Sequence, residues 1–255
     1  MKAKIKIGSK SFQIDFGKPI PISITLQDGF NNPNCFYAPP IEFSPVVAGD
    51  FIGSTEQGGA VNFKNIRLNP HGNGTHTECV GHIAKEIFVL RESLQKFHFP
   101  ALLISVFPEK QDNGDRVITL DQVMNLIQTE ELLPAIIFRT LPNPLEKGGR
   151  QYSGTNPPYF SDHLLKWLAD HGVNHLLTDL PSVDREEDGG ALLGHKAFWN
   201  YPNDIRQNAT ISELVYVNDS VQDGVYLLNL QVLNIDLDVS PSNPILYQLI
   251  DAKEF

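Results

Sequence analysis

Between residues 71 and 82 the chain reads His71-Gly72-Asn73-Gly74-Thr75-His76-Thr77-Glu78-Cys79-Val80-Gly81-His82, the densest cluster of metal-capable groups in the sequence. On an extended segment His76 and Glu78 lie two residues apart and project from the same face. If the chain then turns into a helix or tight loop, His82 folds back within reach of that face. Imidazole nitrogen and carboxylate oxygen are usual ligands for zinc and manganese, and the residue types do not choose between the two. Gly74 allows either a close backbone approach or a conformation forbidden to other residues. The same residues on a solvated loop would carry no ion. Cys79 is a further ligand candidate or a small buried filler. His98, His163, His171 and His175 sit in or beside periodic segments and read mostly as surface or capped positions.

The elements that must position this cluster follow from periodicity. Alternation over Met1–Ile7, at Phe12, Ile14 and Phe16, and at Ile20, Ile22, Ile24 and Leu26 predicts strands. From Gln27 to Gly59 the chain is rich in Asn, Pro and Gly, which predicts either a lid or arm or ordinary excursions between short strands. Ile83, Ile87, Leu90 and Leu94 have helical spacing over 83–96. Ala101 to Phe107 and Ala135 to Leu141 read as buried strands. Thr119 to Gln122 has the form of a capping box opening a helix through about Ile127. Ser161 caps a second helix carrying Leu164, Leu165 and Leu168 and ending near Gly172. Val173–Thr178, Thr210–Val217 and Gly224–Ile235 complete the strands. The expected class is mixed α/β, one domain over 1–255, strand-rich at the front with helices packed on a central sheet.

The segment Gly74 to His82 resembles the His-x-Gly-Thr-His-x-Asp-x-Pro-x-His signature of the cyclase-like metal hydrolases, which include bacterial kynurenine formamidases and isatin hydrolases. Further landmarks keep the family's order. Ile137-Phe138-Arg139-Thr140 is similar to its strand ending in Arg-Thr, and Thr178 to Asp184 to its Asp-x-Pro-Ser-x-Asp segment. His195 and Glu213 match its late histidine and the glutamate of a later strand. The resemblance implies a swivelling β/β/α fold. It also implies that His76 and Glu78 ligate a divalent metal and that His82 lies close to the metal and transfers protons. His195 and Glu213 would bind a second ion or hydrogen-bond substrate or water.

The departures are specific. Gly72 stands where the family has its first histidine, and His71 is one residue early. A one-residue slip in a strand turns a side chain to the opposite face, so His71 is expected to ligate only across a bulge. Glu78 replaces aspartate and Val80 replaces proline. One tightly held ion with a second site weak or empty is therefore expected, and Gly72→His is expected to raise the bound metal. The activity implied is hydrolysis of an amide-type bond in an N-formyl arylamine or a cyclic imide or lactam. The alternative is a binding protein on the same fold with an eroded site, a reading that the missing histidine favours. Phe36 and Tyr37 in the long front loop are candidates to cover a flat substrate.

A net charge of −10 without a basic run makes nucleic acid and anionic membranes poor partners. Cys35 and Cys79 do not form a disulfide framework. No apolar run is long enough for a membrane span, and the N-terminus lacks a signal-peptide core. The expected protein is cytoplasmic, acts on a small molecule, and forms a homodimer or homotetramer through the family likeness.

Overall fold

The computed structural model describes residues 1–127 and 132–251. Its centre is a nine-stranded mixed sheet in the order Val239–Pro241, His76–Cys79, Thr210–Glu213, His175–Thr178, Ala135–Thr140, His98–Val106, Gly224–Asn229, Ile245–Gln248 and Ile20–Pro21. The four middle strands, from Thr210–Glu213 to His98–Val106, run parallel, and the strands outside them are antiparallel. All six residues of Ala135–Thr140 are buried, as expected for a parallel strand covered on both faces. Alternation divides them: Ile136 and Phe138 pack with Leu164, Leu168 and Trp199 of the helices. Ala135 and Ile137 pack with Leu90, Leu94 and Leu228 on the other side. The fold class is the mixed α/β arrangement read from the sequence.

Both capped helices form. Thr119 Oγ1 accepts from Gln122 N and opens Leu120–Leu126. The reciprocal half of the box is absent, because the Gln122 side chain donates to Phe107 O instead. Ser161 Oγ accepts from Leu164 N and opens Asp162–Asp170, and Gly172 follows at φ 82°.

The 83–96 helix is a correction. Only Leu90–Ser93 is α-helical, and Ile87 is 94% exposed. Tertiary contacts outweigh the periodicity. Phe88 O presses on Gly81, Cys79 Sγ donates to the same carbonyl, and Leu90 N bonds Leu237 O. Several strands also end early. Ile20–Pro21 is short: Ile22 N still bonds Pro244 O, but Pro244 has no N–H to extend the ladder, and Ile24 N turns to Thr75 Oγ1. Thr210–Glu213 stops at Leu214, which turns to φ 54°. From 42 the excursion forms an arm that runs on to 67, with Glu42–Pro45 paired to Lys64–Arg67 and Val47–Ala48 paired to Phe51–Ile52 between them.

His175 is also not at the surface. It is buried on Phe99, with Nδ1 2.9 Å from Thr210 Oγ1, and burial with repulsion from Arg206 lowers its pKa to about 4. An unfolded histidine titrates near 6.5, so the unfolded state binds the extra proton first as pH falls. This position therefore loses stability from about pH 6.5 down to 4, on the order of 2 kcal/mol between pH 7 and 5. Denaturant titrations at pH 7 and 5 should show that His175→Asn, which keeps a polar partner for Thr210 but does not titrate, is less acid-sensitive by that amount. Equal pH slopes for the two proteins would count against a neutral buried His175.

Candidate metal centre

The centre starts from a register. The strand His76–Cys79 lies between Thr210–Glu213 and Val239–Pro241, with His76 opposite Glu213 and Glu78 opposite both Ile211 and Val239. Same-face alternation puts His76, Glu78 and Glu213 on one side, all buried. His76 Nε2 is 3.3 Å from Glu213 Oε2. Gly74 prepares this strand: its φ is 87°, and a Cβ there would lie 2.4 Å from Leu26 Cδ2, so both reasons for a glycine hold. Thr75 Oγ1 then donates to Leu214 O and ties the strand's start to the end of its neighbour.

His195 arrives on Leu193–Trp199, a helix the sequence reading did not anticipate because its start has no ordinary cap. Asp184 supplies one from another loop, accepting from Gly194 N at 2.6 Å and His195 N at 3.2 Å. A Cβ at Gly194 would meet Asp184 Oδ1 at 2.7 Å and Leu165 Cδ1 at 2.8 Å, so this approach requires glycine. Asp184 Oδ2 also accepts from His195 Nδ1 at 2.5 Å, and His195 Nε2 faces Glu78 Oε1 at 3.2 Å.

His71 comes into the same group, against the expectation from strand geometry. Residues 70–75 are a turn, held by Gly72 N and Asn73 N on Asn69 O, so the face rule for strands does not apply. His71 Nδ1 lies 3.1 Å from Glu78 Oε2, and Nε2 lies 3.1 Å from Asp238 Oδ2. His82 follows a 3₁₀ turn, Val80–His82, that folds it back over the strand. Its Nδ1 is 3.7 Å from Glu78 Oε2 and 4.0 Å from Asp238 Oδ2, with the side chain 31% exposed. All six residues singled out from the sequence, His71, His76, Glu78, His82, His195 and Glu213, thus meet in one place.

Electrostatics divides their charges. Burial would raise Glu78, but His82, His195 and His71 outweigh it and hold the carboxyl well below the usual range. Burial and the Glu78 charge push Glu213 up. For His195 burial is overcome by Asp184 and Glu78, giving about 10; for His71 it is overcome by Asp238 and Glu78, giving about 9. Burial lowers His82, which stays neutral at pH 7.

The residues suit a cation. His76 Nδ1 donates to Gly74 O at 2.9 Å, which turns Nε2 toward the centre. That Nε2 and Glu78 Oε2 are buried and have no aligned hydrogen-bond partner, although ionisable groups lie 3.1–3.7 Å away. Ligands about 2.1 Å from one tetrahedral ion are about 3.4 Å from each other. Donors this close that do not aim at one another are arranged as ligands would be. Three groupings converge: His71, His76 and Glu78; Glu78, His82 and His195; and His71, His82 and Asp238.

Two residues here were missed. Asp184 stood in a quoted landmark without a role, and Asp238 carried no signal at all. The other landmarks are structural. Arg139 clamps Ser105, Asn218, Val221 and Asp223, and Asp179 pairs with Lys147 and Thr140. Cys79 is a buried filler, and both cysteines are free. Phe36 and Tyr37 are exposed at φ 54° on the front loop.

Gly72 behaves differently from the sequence expectation. Its φ is not positive, but a Cβ would lie 2.3 Å from Ala38 Cβ and 3.2 Å from Cys35 O. Gly72→Ala should therefore cost about 1–3 kcal/mol through overpacking. Gly72→His should cost more and add no tightly held ion. Melting curves and metal analysis check this; a Gly72→His protein of native stability with an extra ion would show that the turn opens freely.

The sequence model of the putative cyclase family matches residues 20–185, well over half of the chain. A comparison with curated protein sequences finds no match. Solved structures share the fold. A predicted metal-dependent hydrolase from Bacillus stearothermophilus superposes with a TM-score of 0.61 at 16% identity, covering 90% of this chain and 98% of its own. Isatin hydrolase A from Labrenzia aggregata, bound to benzyl benzoate, gives 0.63 at 15%, covering 92% and 94%. A potential metal-dependent hydrolase with cyclase activity gives 0.64 at 16%, covering 90% and 97%. At these identities the likeness is one of fold. With the signature residues inside the matched segment, the chain belongs to the putative cyclase family.

Proposed function

We propose that this protein is a metal-dependent hydrolase of an amide-type bond, acting on an N-formyl arylamine or a cyclic imide or lactam. The observation that carries the reading is the pair of buried atoms, His76 Nε2 and Glu78 Oε2, left without aligned partners inside a ring of imidazoles and carboxylates. Burying such atoms unpaired is costly, and a cation removes the cost. His76, Glu78, His71, His195 and Glu213 would hold zinc or manganese. A divalent ion there lowers the pKa of water and polarises a carbonyl.

Small-molecule access is on the same side. A cleft of about 430 Å³ lined by Pro39, Pro40, Arg67, His71, Leu237 and Asp238 opens beside the centre. A cleft of about 420 Å³ near His98, Pro134 and Asn174 lies at the starts of the parallel strands and has no carboxylate in its lining. Ligands of such sheets bind at the carboxyl ends of the strands, where Glu213 stands. His82, half-exposed and neutral, would accept a proton from the attacking water and deliver it to the departing nitrogen as the C–N bond breaks. The eroded-site alternative rested on Gly72, and the proximity of His71 to Glu78 weakens its motive.

Tag-free protein should carry stoichiometric zinc or manganese. It should also hydrolyse at least one of N-formylkynurenine, isatin or simple cyclic imides, with chelation abolishing turnover. A folded chain that refuses both ions and all three substrate types sinks the reading. Glu78→Ala should lose metal and activity together while staying folded, and full metal occupancy in that variant would remove Glu78 as a principal ligand. His82→Ala should keep its metal and lose roughly 10²–10⁴-fold in turnover. Metal loss in it would make His82 a ligand instead.

The arm over 42–67 exposes Val47, Phe51, Val61, Phe63 and Ile66, an apolar set that supports self-association as a homodimer or homotetramer. Sedimentation should show an oligomer that Phe63→Asp with Ile66→Asp dissociates. A monomeric wild type overturns this.

A further inference from the structure

His71 has two ring nitrogens in different settings. Nε2 lies 3.1 Å from Asp238 Oδ2 in an aligned hydrogen bond. Nδ1 lies equally close to Glu78 Oε2, yet that oxygen has no aligned donor. The arrangement fits a ring that would keep Nε2–H on Asp238 when it ligates, with Nδ1 as the nitrogen that faces the buried group of His76 and Glu78. His76 shows the same division, with Nδ1–H on Gly74 O and Nε2 turned inward. His195 is likewise held at Nδ1 by Asp184, but its Nε2 makes an aligned hydrogen bond with Glu78 Oε1 at 3.2 Å. A histidine that ligates a metal commonly donates its other N–H to a carboxylate or carbonyl, which fixes tautomer and ring orientation.

We propose that Asp238 is the positioning residue that makes His71 a metal-binding histidine through Nδ1, restoring the imidazole whose usual place in the signature is taken by Gly72. The inference rests on the metal-hydrolase reading and adds a residue that lies beyond the family-matched segment, which ends at 185. Asp238 is well fixed for this role. Its carbonyl accepts from Cys79 N at 2.9 Å, and Val239 pairs with Glu78 in the next strand. The acceptor is therefore tied to the strand that presents Glu78, while His71 comes from a turn that has no ladder of its own. Asp238 is the group that aims its ring. The competing arrangement is an outer cation held by Asp238 directly, with His71 Nε2 and His82 Nδ1. It would use the nitrogen already engaged in the aligned bond and leave Glu78 Oε2 without a partner.

The test titrates metal-stripped, full-length protein with zinc and with manganese, as wild type, His71→Ala, Asp238→Asn and Asp238→Ala. Melting of the metal-free forms is followed alongside. Asp238→Ala should weaken the tightest ion about 10–100-fold, the scale of outer hydrogen-bond partners, with its metal-free melting temperature close to wild type. Asp238→Asn should lose less, since an amide oxygen still accepts from Nε2–H. Nitrogen NMR of zinc-loaded wild type should show His71 ligated at Nδ1 and protonated at Nε2, a pattern lost in Asp238→Ala. Unchanged affinity in Asp238→Ala overturns the proposal, as does ligation at Nε2, which would assign the outer cation. Metal uptake unaffected by His71→Ala overturns it while leaving the hydrolase reading intact. A wild type that takes up neither ion overturns both.

Discussion

A carboxylate with no exposed surface needs charge close by, and Glu78 is that carboxylate. It stands on the central of three antiparallel strands, so its backbone cannot move toward water without breaking two ladders. Its two oxygens face different ways, Oε1 to His195 and Oε2 to His71 and His82. Glu213 brings a second carboxyl to the same face, and its raised pKa records the cost of burying it and, after that, of placing it beside the Glu78 anion. Protons on His71 and His195 balance the group in the absence of a cation. A divalent ion would do the same with fewer uncompensated dipoles, because it would also satisfy His76 Nε2 and Glu78 Oε2.

The surrounding structure orients donors rather than supplying them. Three imidazoles enter the group from a strand, a helix and a turn, and each is held at its outer nitrogen by an acceptor that belongs to another piece of chain or to a preceding residue. Asp184 serves twice, capping the helix that carries His195 and fixing that ring. This economy explains why Gly194 must lack a side chain. His82 is the exception. It has no such acceptor among the described residues and is the most exposed of the four rings, open to solvent on one side.

Much of this was legible before the structure. Continuous apolar runs identified the parallel core because its strands are covered on both faces, and Thr119 and Ser161 announced two helices through local capping chemistry. His76 and Glu78 were legible because strand geometry alone puts them on one face. What failed depends on distant partners. The periodicity of 83–96 is overruled by a backbone crossing at Gly81 and Leu237. The helix at His195 depends on a cap from Asp184 that no local pattern reveals. The face rule misjudged His71 because it assumed a strand where Asn69 nucleates a turn. Asp238 is one aspartate among many until the Val239–Pro241 strand sets it beside Glu78.

That long-range character bears on how site and fold depend on each other. His195 and Glu78 are 117 residues apart in sequence, and His71 and Asp238 are 167 apart. Neither pair exists in an unfolded chain, so a cation that needs both favours the folded state alone and stabilises it according to its own concentration and affinity. The coupling runs the other way too. The edge strand that follows Asp238, Val239–Pro241, is three residues long and pairs with one neighbour, which makes it a weak element by backbone bonding. A cation drawing His71 toward Glu78 would pull Asp238 with it and press this strand onto His76–Cys79. Closure of the sheet's edge and completion of the centre would then be one event, with the ion adding to the backbone bonds that already pair this strand with His76–Cys79.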